Sequence, residues 1–259
     1  MYKWLINSGL WLGAGLMILP LVSVFLVSFV NSDPQAHLFT NYLKAWMQAN
    51  FLLAFFNSAL VASVVTGLQI FTSLLAGYAL ARLDFSGKRI ILLAILATLI
   101  IPVQLLVVPI FLILRVGHLI NTYGALIIPS AANAYGIFLL RQYIQTIPIE
   151  LEQAAILDGA NRWQILSQII FPLTRPAIVT LFLFTFIGEW NDLFKPLIFT
   201  TRPELMTVQL TLASFQQLYT ADWSLLMAAV VIASLPVVLL FFFGQKQLIR
   251  GIATTGLKN

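Results

Sequence analysis

The 259-residue chain has no cysteine, only two histidines and very little charge, 9% of its residues. A soluble domain carries about 25% charged residues, so a chain this poor in charge could not cover its surface in water. Without cysteine there is no disulfide scaffold and no thiolate metal site. So few polar residues also exclude a disordered chain. What fills the sequence is hydrocarbon: 60% of residues are hydrophobic and the mean hydropathy is +0.95. That composition points to a polytopic membrane protein whose apolar surface is solvated by lipid.

A helix crossing the hydrocarbon core needs roughly 20 apolar residues, so the gaps between consecutive charges locate the spans. Five gaps are long enough: Lys3 to Asp33, Lys44 to Arg82, Arg89 to Arg115, Arg115 to Arg141 and Asp222 to Lys246. A sixth candidate is apolar from Pro176 to Ile187, is interrupted by Glu189, Asp192 and Lys195, and then resumes with PLIFT. The expected spans are 9–31, 56–82, 90–114, 122–143, 174–200 and 224–247, in one transmembrane domain over 1–259. The first follows Lys3 as a signal peptide would, but its run from Leu10 to Val30 is longer than a signal h-region and no small-residue cleavage pattern follows; it reads as a span.

The net charge is +5. With the N-terminus inside, Lys3, Arg82, Lys88, Arg89, Arg141, Arg162, Arg175, Lys246, Arg250 and Lys258 are cytoplasmic, whereas only Lys44, Arg115 and Arg202 lie outside and Lys195 lies in the membrane. This positive-inside bias puts both termini in the cytoplasm. The basic excess is therefore a topology signal, not the footprint of nucleic acid.

Between the spans, Ser32 to Ala54 forms an external segment in which FTNYLKAWMQANFLLAFF reads as an amphipathic helix at the outer interface. The external stretch Thr201 to Trp223, with TRPEL and QQLYTAD, suits either a partner or solvent. The long internal connection, 144–172, has helical punctuation of its own. Pro148 fits a first helical turn, Glu150 and Glu152 oppose the positive helix end, and Gly159 suits a left-handed stop. Asn161 with Gln164 forms an N-cap pair for a second short helix, which Pro172 ends. The Asp158-Gly159-Ala160 turn between them allows close approach by another surface, or packs under its own bundle.

The string PIELEQAAILDGANRWQILSQIIFPLTRPAI, Pro148 to Ile178, resembles the EAA loop of binding-protein-dependent ABC importer permeases. NSALVASVVTGLQ, GYALARLDFSGKR, NTYGALIIPS, GIFLLRQYI, WNDLFKPLIF and QLIRGIATTGLKN are similar to the carbohydrate-uptake branch, specifically its shorter six-span partner subunit. The resemblance implies the all-α type I importer permease fold in a bacterial plasma membrane. It implies four companions: a second permease subunit, two nucleotide-binding ATPase subunits that use ATP and Mg, and an external solute-binding protein. It also implies an ATPase-docking role for Glu150, Glu152, Gln153, Ala154, Ala155, Asp158, Gly159, Ala160 and Arg162. Position 153 departs from the pattern, since Gln153 stands where the family places glutamate and keeps hydrogen-bonding ability without the charge. The chain has no P-loop of its own, because Gly87-Lys88 lacks both the glycine five residues earlier and a following Ser or Thr. Neither cofactor nor metal is expected in this chain.

Ionisable groups inside a span cost about 3 kcal/mol on insertion scales and commonly face a pathway. Glu189, Trp190, Asn191, Asp192 and Lys195, with Gln104 and Asn133 from other spans, are the candidate translocation residues. The competing reading has Asp192 and Lys195, spaced i to i+3, neutralise each other while Glu189 and Asn191 point elsewhere. Trp190 suits a sugar ring or an interface anchor. Gln69, Gln104 and Asn133 suit sugar hydroxyls or interhelical bonds. Pro102, Pro109 and Pro129 suit kinks, while His37 and His118 are isolated. A stand-alone secondary carrier or channel is the alternative, but no duplicated broken-helix pattern links 1–120 to 121–259. An intramembrane enzyme lacks HExxH, and no Ser with a nearby His occurs in the spans.

Overall fold

The computed structural model describes residues 2–30, 37–218 and 222–256, and every regular element among them is helical. Predicted features at Ser32 to Ala36, in the middle of QQLYTAD and at Lys258 lie outside the described residues. Three helices contain segments long and apolar enough to cross a bilayer: α1 (Tyr2–Ser28), α3 (Phe51–Arg82) and α14 (Trp223–Gly256). Three further crossings are possible if each of three bent helix pairs counts as one.

The bends follow from proline and from side chains that satisfy freed backbone groups. The third expected span, 90–114, is not one helix: α4 (Lys88–Ala97), prolonged to Ile100, and α5 (Val107–Val116), preceded by a turn from Val103, meet at 93°. Pro102 has no N–H and forces its predecessor out of the helical region, and Ile101 is extended at ψ 114°. Pro109 does no such damage because it lies in the first turn of α5, where an absent N–H is not missed. The fourth expected span, 122–143, bends by 42° between Tyr123–Ser130, which begins with α6 (Tyr123–Ile127), and α7 (Ala134–Gln145). There Gln69 Nε2 donates to Ser130 O at 2.8 Å and Thr72 Oγ1 to Ala131 O at 3.1 Å, so α3 satisfies carbonyls that the break releases.

The fifth expected span, 174–200, is also in pieces. The 16-residue α11 (Arg175–Trp190) is about 24 Å long, Asn191 to Leu193 interrupt it, and α12 (Phe194–Phe199) follows. Upstream, Arg162–Leu173 joins α11 at 75°. Contrary to expectation, Pro172 does not end that upstream helix. A π-helical stretch over Ile165–Ile170 runs into the short α10 (Phe171–Leu173), and the bend falls after it, at Thr174. The predicted interfacial helix is likewise shorter than expected. Asn50 adopts φ 48°, which ends α2 (Thr40–Gln48) and leaves FLLAFF to open α3 five residues before the expected start of that span. Asn41 holds α2 against the end of α1 through bonds to Ser28 O and Val30 O at 3.1 and 2.9 Å.

The central helix is α3, which packs on α7 and α11. Gly77 lets it approach α7 closely: a Cβ there would stand 3.0 Å from the Arg141 backbone nitrogen and 3.3 Å from Leu140 Cβ. Two apolar cores flank this seam. One gathers Phe51, Phe186 and Trp190, and Val208 and Phe215 of α13 (Val208–Leu218), with the first half of α14. The other gathers Leu74, Tyr78, Leu140, Ile144, Ile165 and Ile170 around the connection after α7. Leu10, Trp11 and Met17 of α1 are exposed, as side chains facing hydrocarbon would be.

Candidate functional site

The predicted internal connection folds as a helix, a tight turn and a second helix. Pro148 precedes α8 (Glu150–Leu157), whose first turn carries Glu150 and Glu152. Gly159, at φ +84°, terminates it as a Schellman motif: Gly159 N donates to Ile156 O at 3.0 Å and Ala160 N to Ala155 O at 2.9 Å. Asn161 then caps α9 (Arg162–Gln164) with a complete capping box, Gln164 N to Asn161 Oδ1 at 3.0 Å and Asn161 N to Gln164 Oε1 at 2.8 Å. The turn is thus rigid although it is exposed. Gln153, Ala154, Asp158, Gly159 and Arg162 are exposed, and Ala155 and Ala160 are half-buried. Beside them the sequence analysis missed an apolar patch, in which Leu157 is 88% exposed, Trp163 61% and Ile156 51%. Large apolar groups held outward by a well-made corner suit contact with another protein.

Glu152 does not share that surface. It is buried, with Oε1 accepting from Arg82 Nε at 2.5 Å and Oε2 accepting from the Tyr78 hydroxyl at 3.3 Å. Arg82 Nη2 also donates to Ile144 O at 2.8 Å and Ile147 O at 2.5 Å. Sequence reasoning counted Arg82 only as a topology charge. Glu152, which the resemblance places with Glu150 in the docking set, is turned by α8 onto α3.

The second polar cluster lies at the end of α11. Lys195 Nζ is 2.6 Å from Glu189 Oε2, 3.2 Å from Asp192 Oδ2 and 2.6 Å from Ser130 Oγ. The i to i+3 pair exists, but Glu189 does not point elsewhere: it is the nearer partner of Lys195. Asp192 Oδ1 also accepts from Phe194 N at 2.9 Å, which opens α12. These residues and Gln104 line a cleft of about 300 Å³ whose apolar wall includes Val103, Val107 and Phe199.

The other candidate pathway residues lie apart from the cleft. Trp190 is buried within this subunit, donates Nε1 to Ala233 O at 3.1 Å, and packs between Phe186 and Phe55. Asn191 faces the other way, accepting from Gln209 Nε2 at 3.1 Å. Asn133 caps α7 by accepting from Tyr135 N at 2.7 Å and does not line the cleft. Gln69 bonds helix to helix, through Ser130 O and the Thr185 hydroxyl. No group of three or more metal-ligating side chains occurs among the described residues.

A broken-helix bundle with a polar cleft and a protruding, rigid helical corner defines a membrane transport component. Residues 69–254 match the family described as binding-protein-dependent transport system inner membrane component, and the chain belongs to that family. It is 30% identical to the arabinooligosaccharides transport system permease protein AraQ of Halalkalibacterium halodurans, over 99% of this chain and 97% of that protein. It is 33% identical to the lactose transport system permease protein LacG of Rhizobium radiobacter (83% and 79% covered). It is 34% identical to the trehalose/maltose transport system permease protein MalG of Thermococcus litoralis (89% and 79% covered). A solved bacterial ABC transporter, described as involved in the import of the acidic polysaccharide alginate, superposes with a TM-score of 0.82 at 22% identity, over 95% of each chain. A second structure, the bacterial alginate ABC transporter in complex with an alginate pentasaccharide-bound periplasmic protein, superposes with a TM-score of 0.67 at 16% identity over 94% of this chain and 93% of that one. The fold is that of an ABC importer permease, and the protein is a multi-pass membrane transport subunit.

Proposed function

We propose that this chain is one of two permease subunits in an ATP-driven importer of a carbohydrate-type solute: a sugar, glycoside or polyol. Its companions are a second permease subunit, two nucleotide-binding ATPase subunits that consume ATP and Mg, and an external solute-binding protein. The single observation that carries this reading is the rigid, exposed corner from Leu157 to Trp163, set on a chain with no P-loop. A subunit without its own ATPase needs such a surface to receive work from one. Relatives named for arabinooligosaccharide, lactose and trehalose/maltose transport support the solute class.

In this reading the six crossings put both termini in the cytoplasm of a bacterial inner membrane, with 144–172 beneath the bundle and Thr201 outside. Gln153, Ala154, Ala155, Asp158, Gly159, Ala160 and Arg162 meet the ATPase, with Glu150 at the edge of the contact. Closure of the ATPase pair moves the corner, and the broken helices around the cleft change from inward-facing to outward-facing. Gln104, Ser130, Glu189 and Lys195 offer donors and acceptors to solute hydroxyls, and Val103 and Phe199 offer apolar contact.

Purification of a C-terminally tagged chain from gently solubilised native membranes, followed by mass spectrometry, tests the assembly. Recovery with an ATPase and a second permease is the expected result. Recovery of this chain alone, under conditions that preserve known complexes, would favour a stand-alone carrier or channel.

A further inference from the structure

Glu152 and Arg82 are 70 residues apart in sequence, and their side chains are 4% and 10% exposed. Burying a charge pair costs desolvation energy that well-packed apolar residues would avoid, so simple adhesion between α8 and α3 does not call for one. What such a pair adds is direction, because one register satisfies the carboxylate and every other register leaves a charge uncompensated. Here the register is over-determined. The Arg82 guanidinium holds Glu152, Ile144 O and Ile147 O together, so one side chain fastens the end of α3 to the end of α7 and to the first turn of α8. The Tyr78 hydroxyl adds a second bond to the same carboxylate one turn earlier on α3.

The surroundings stiffen this junction. Arg141 Nε donates to Leu80 O at 3.2 Å, and Gly77 brings α3 against the α7 backbone. The apolar core of Tyr78, Ile144, Ile147, Ile165 and Ile170 encloses it. The path out of the corner on its other side is different in kind: it passes through the π-helical stretch Ile165–Ile170 and then a 75° bend before α11 begins. Of the two routes into the membrane, the one through α3 is short, charged and buried, and the one through α11 is bent.

Building on the proposed importer reading, we propose that the Arg82–Glu152 pair is the strut through which the docking corner drives the bundle, so that α8 and the cytoplasmic end of α3 move as one body. Glu152 is then a positioning residue that acts through Arg82 and does not touch the ATPase. Gln153 can lack a carboxylate because the charge that transmits the motion is next to it and faces inward.

Two measurements on the complete, reconstituted transporter test this. The first is solute imported per ATP hydrolysed in Glu152→Gln, with Glu152→Asp as the conservative control. Glutamine leaves Arg82 bonded to its two carbonyls, so the complex assembles. Imported solute per ATP falls about tenfold, within the range of a typical coupling free energy, and Glu152→Asp recovers part of it. A ratio equal to that of the unmodified transporter, with only the yield of assembled complex reduced, assigns the pair to stability alone and overturns the proposal. The second is the distance between spin labels at Phe85→Cys and Leu151→Cys, which are unique thiols in a cysteine-free chain. With the strut intact, the distance is the same without nucleotide and with ATP, and the distribution broadens when Glu152→Gln is added. A distance that changes between nucleotide states with the strut intact contradicts motion as one body. If the unmodified assembly shows no solute-stimulated ATP hydrolysis, it is the importer reading that fails, and the label distance still tests whether the junction is rigid.

Discussion

Lys195 is bound by Glu189, at 2.6 Å, more closely than by Asp192, at 3.2 Å, although Asp192 is its neighbour in helical spacing. One ammonium therefore answers two carboxyl groups beside the cleft.

The first prediction follows from the division of labour at Asp192. One carboxylate oxygen caps α12 and the other faces Lys195. Asp192→Asn keeps an oxygen for the cap and removes only the charge, so the complex assembles while the rate of uptake changes. Uptake kinetics of the assembled variant check this. An unchanged rate and affinity would reduce the cluster to a structural ion pair.

Lys195→Met leaves Glu189 and Asp192 uncompensated at sites that are mostly buried. Removing one partner of a buried pair costs roughly 3–5 kcal/mol. The expected result is loss of assembled transporter, restored in part by adding Glu189→Gln. Yield of the purified complex is the readout.

Trp190 fills the core that α3 and α11 share with α14, stacked on Phe186 at 6.0 Å between ring centres and edge-on to Phe55 at 5.4 Å. Trp190→Ala should cost about 3–5 kcal/mol through the cavity it leaves. Thermal unfolding in detergent measures this, and the apparent solute affinity of the surviving complex should stay unchanged. A selective loss of affinity would instead place the indole against solute.

Deleting Asp158 to Arg162 removes the left-handed glycine and the Asn161 cap while sparing every span. Membrane insertion should persist and energised uptake should vanish. Normal uptake by this variant would falsify the docking role of the corner.

Much of this architecture is legible in the sequence, because charge gaps report hydrocarbon thickness and because glycine and capping residues act locally. Gly159 and Asn161 with Gln164 behave as their types and spacing require. Contacts between distant segments are less legible. That Glu152 turns inward depends on Arg82, that Trp190 is buried depends on Phe55, and that Gln104 lines the same cleft as the ionic cluster depends on the 93° break at Pro102. Proline announces that a helix can break but not by how much, since the angle is set by what packs around it. At Pro172 the helix runs on for one more residue, and the 75° bend falls at Thr174. Asn133 shows a local role that its spacing did not announce: its side chain satisfies the backbone of its own helix start.

The measurement that most directly tests the account is cross-linking from the corner. A single thiol at Leu157→Cys, carried by an otherwise cysteine-free chain, is labelled with a short thiol-reactive photocross-linker in the purified assembly and irradiated, and the captured peptide is identified by mass spectrometry. Thr201→Cys, in the loop read as external, is the control. The account predicts capture of an ATPase subunit from position 157 and none from position 201. Capture of the ATPase from 201, or its absence at 157 in an assembly that contains it, would contradict the account.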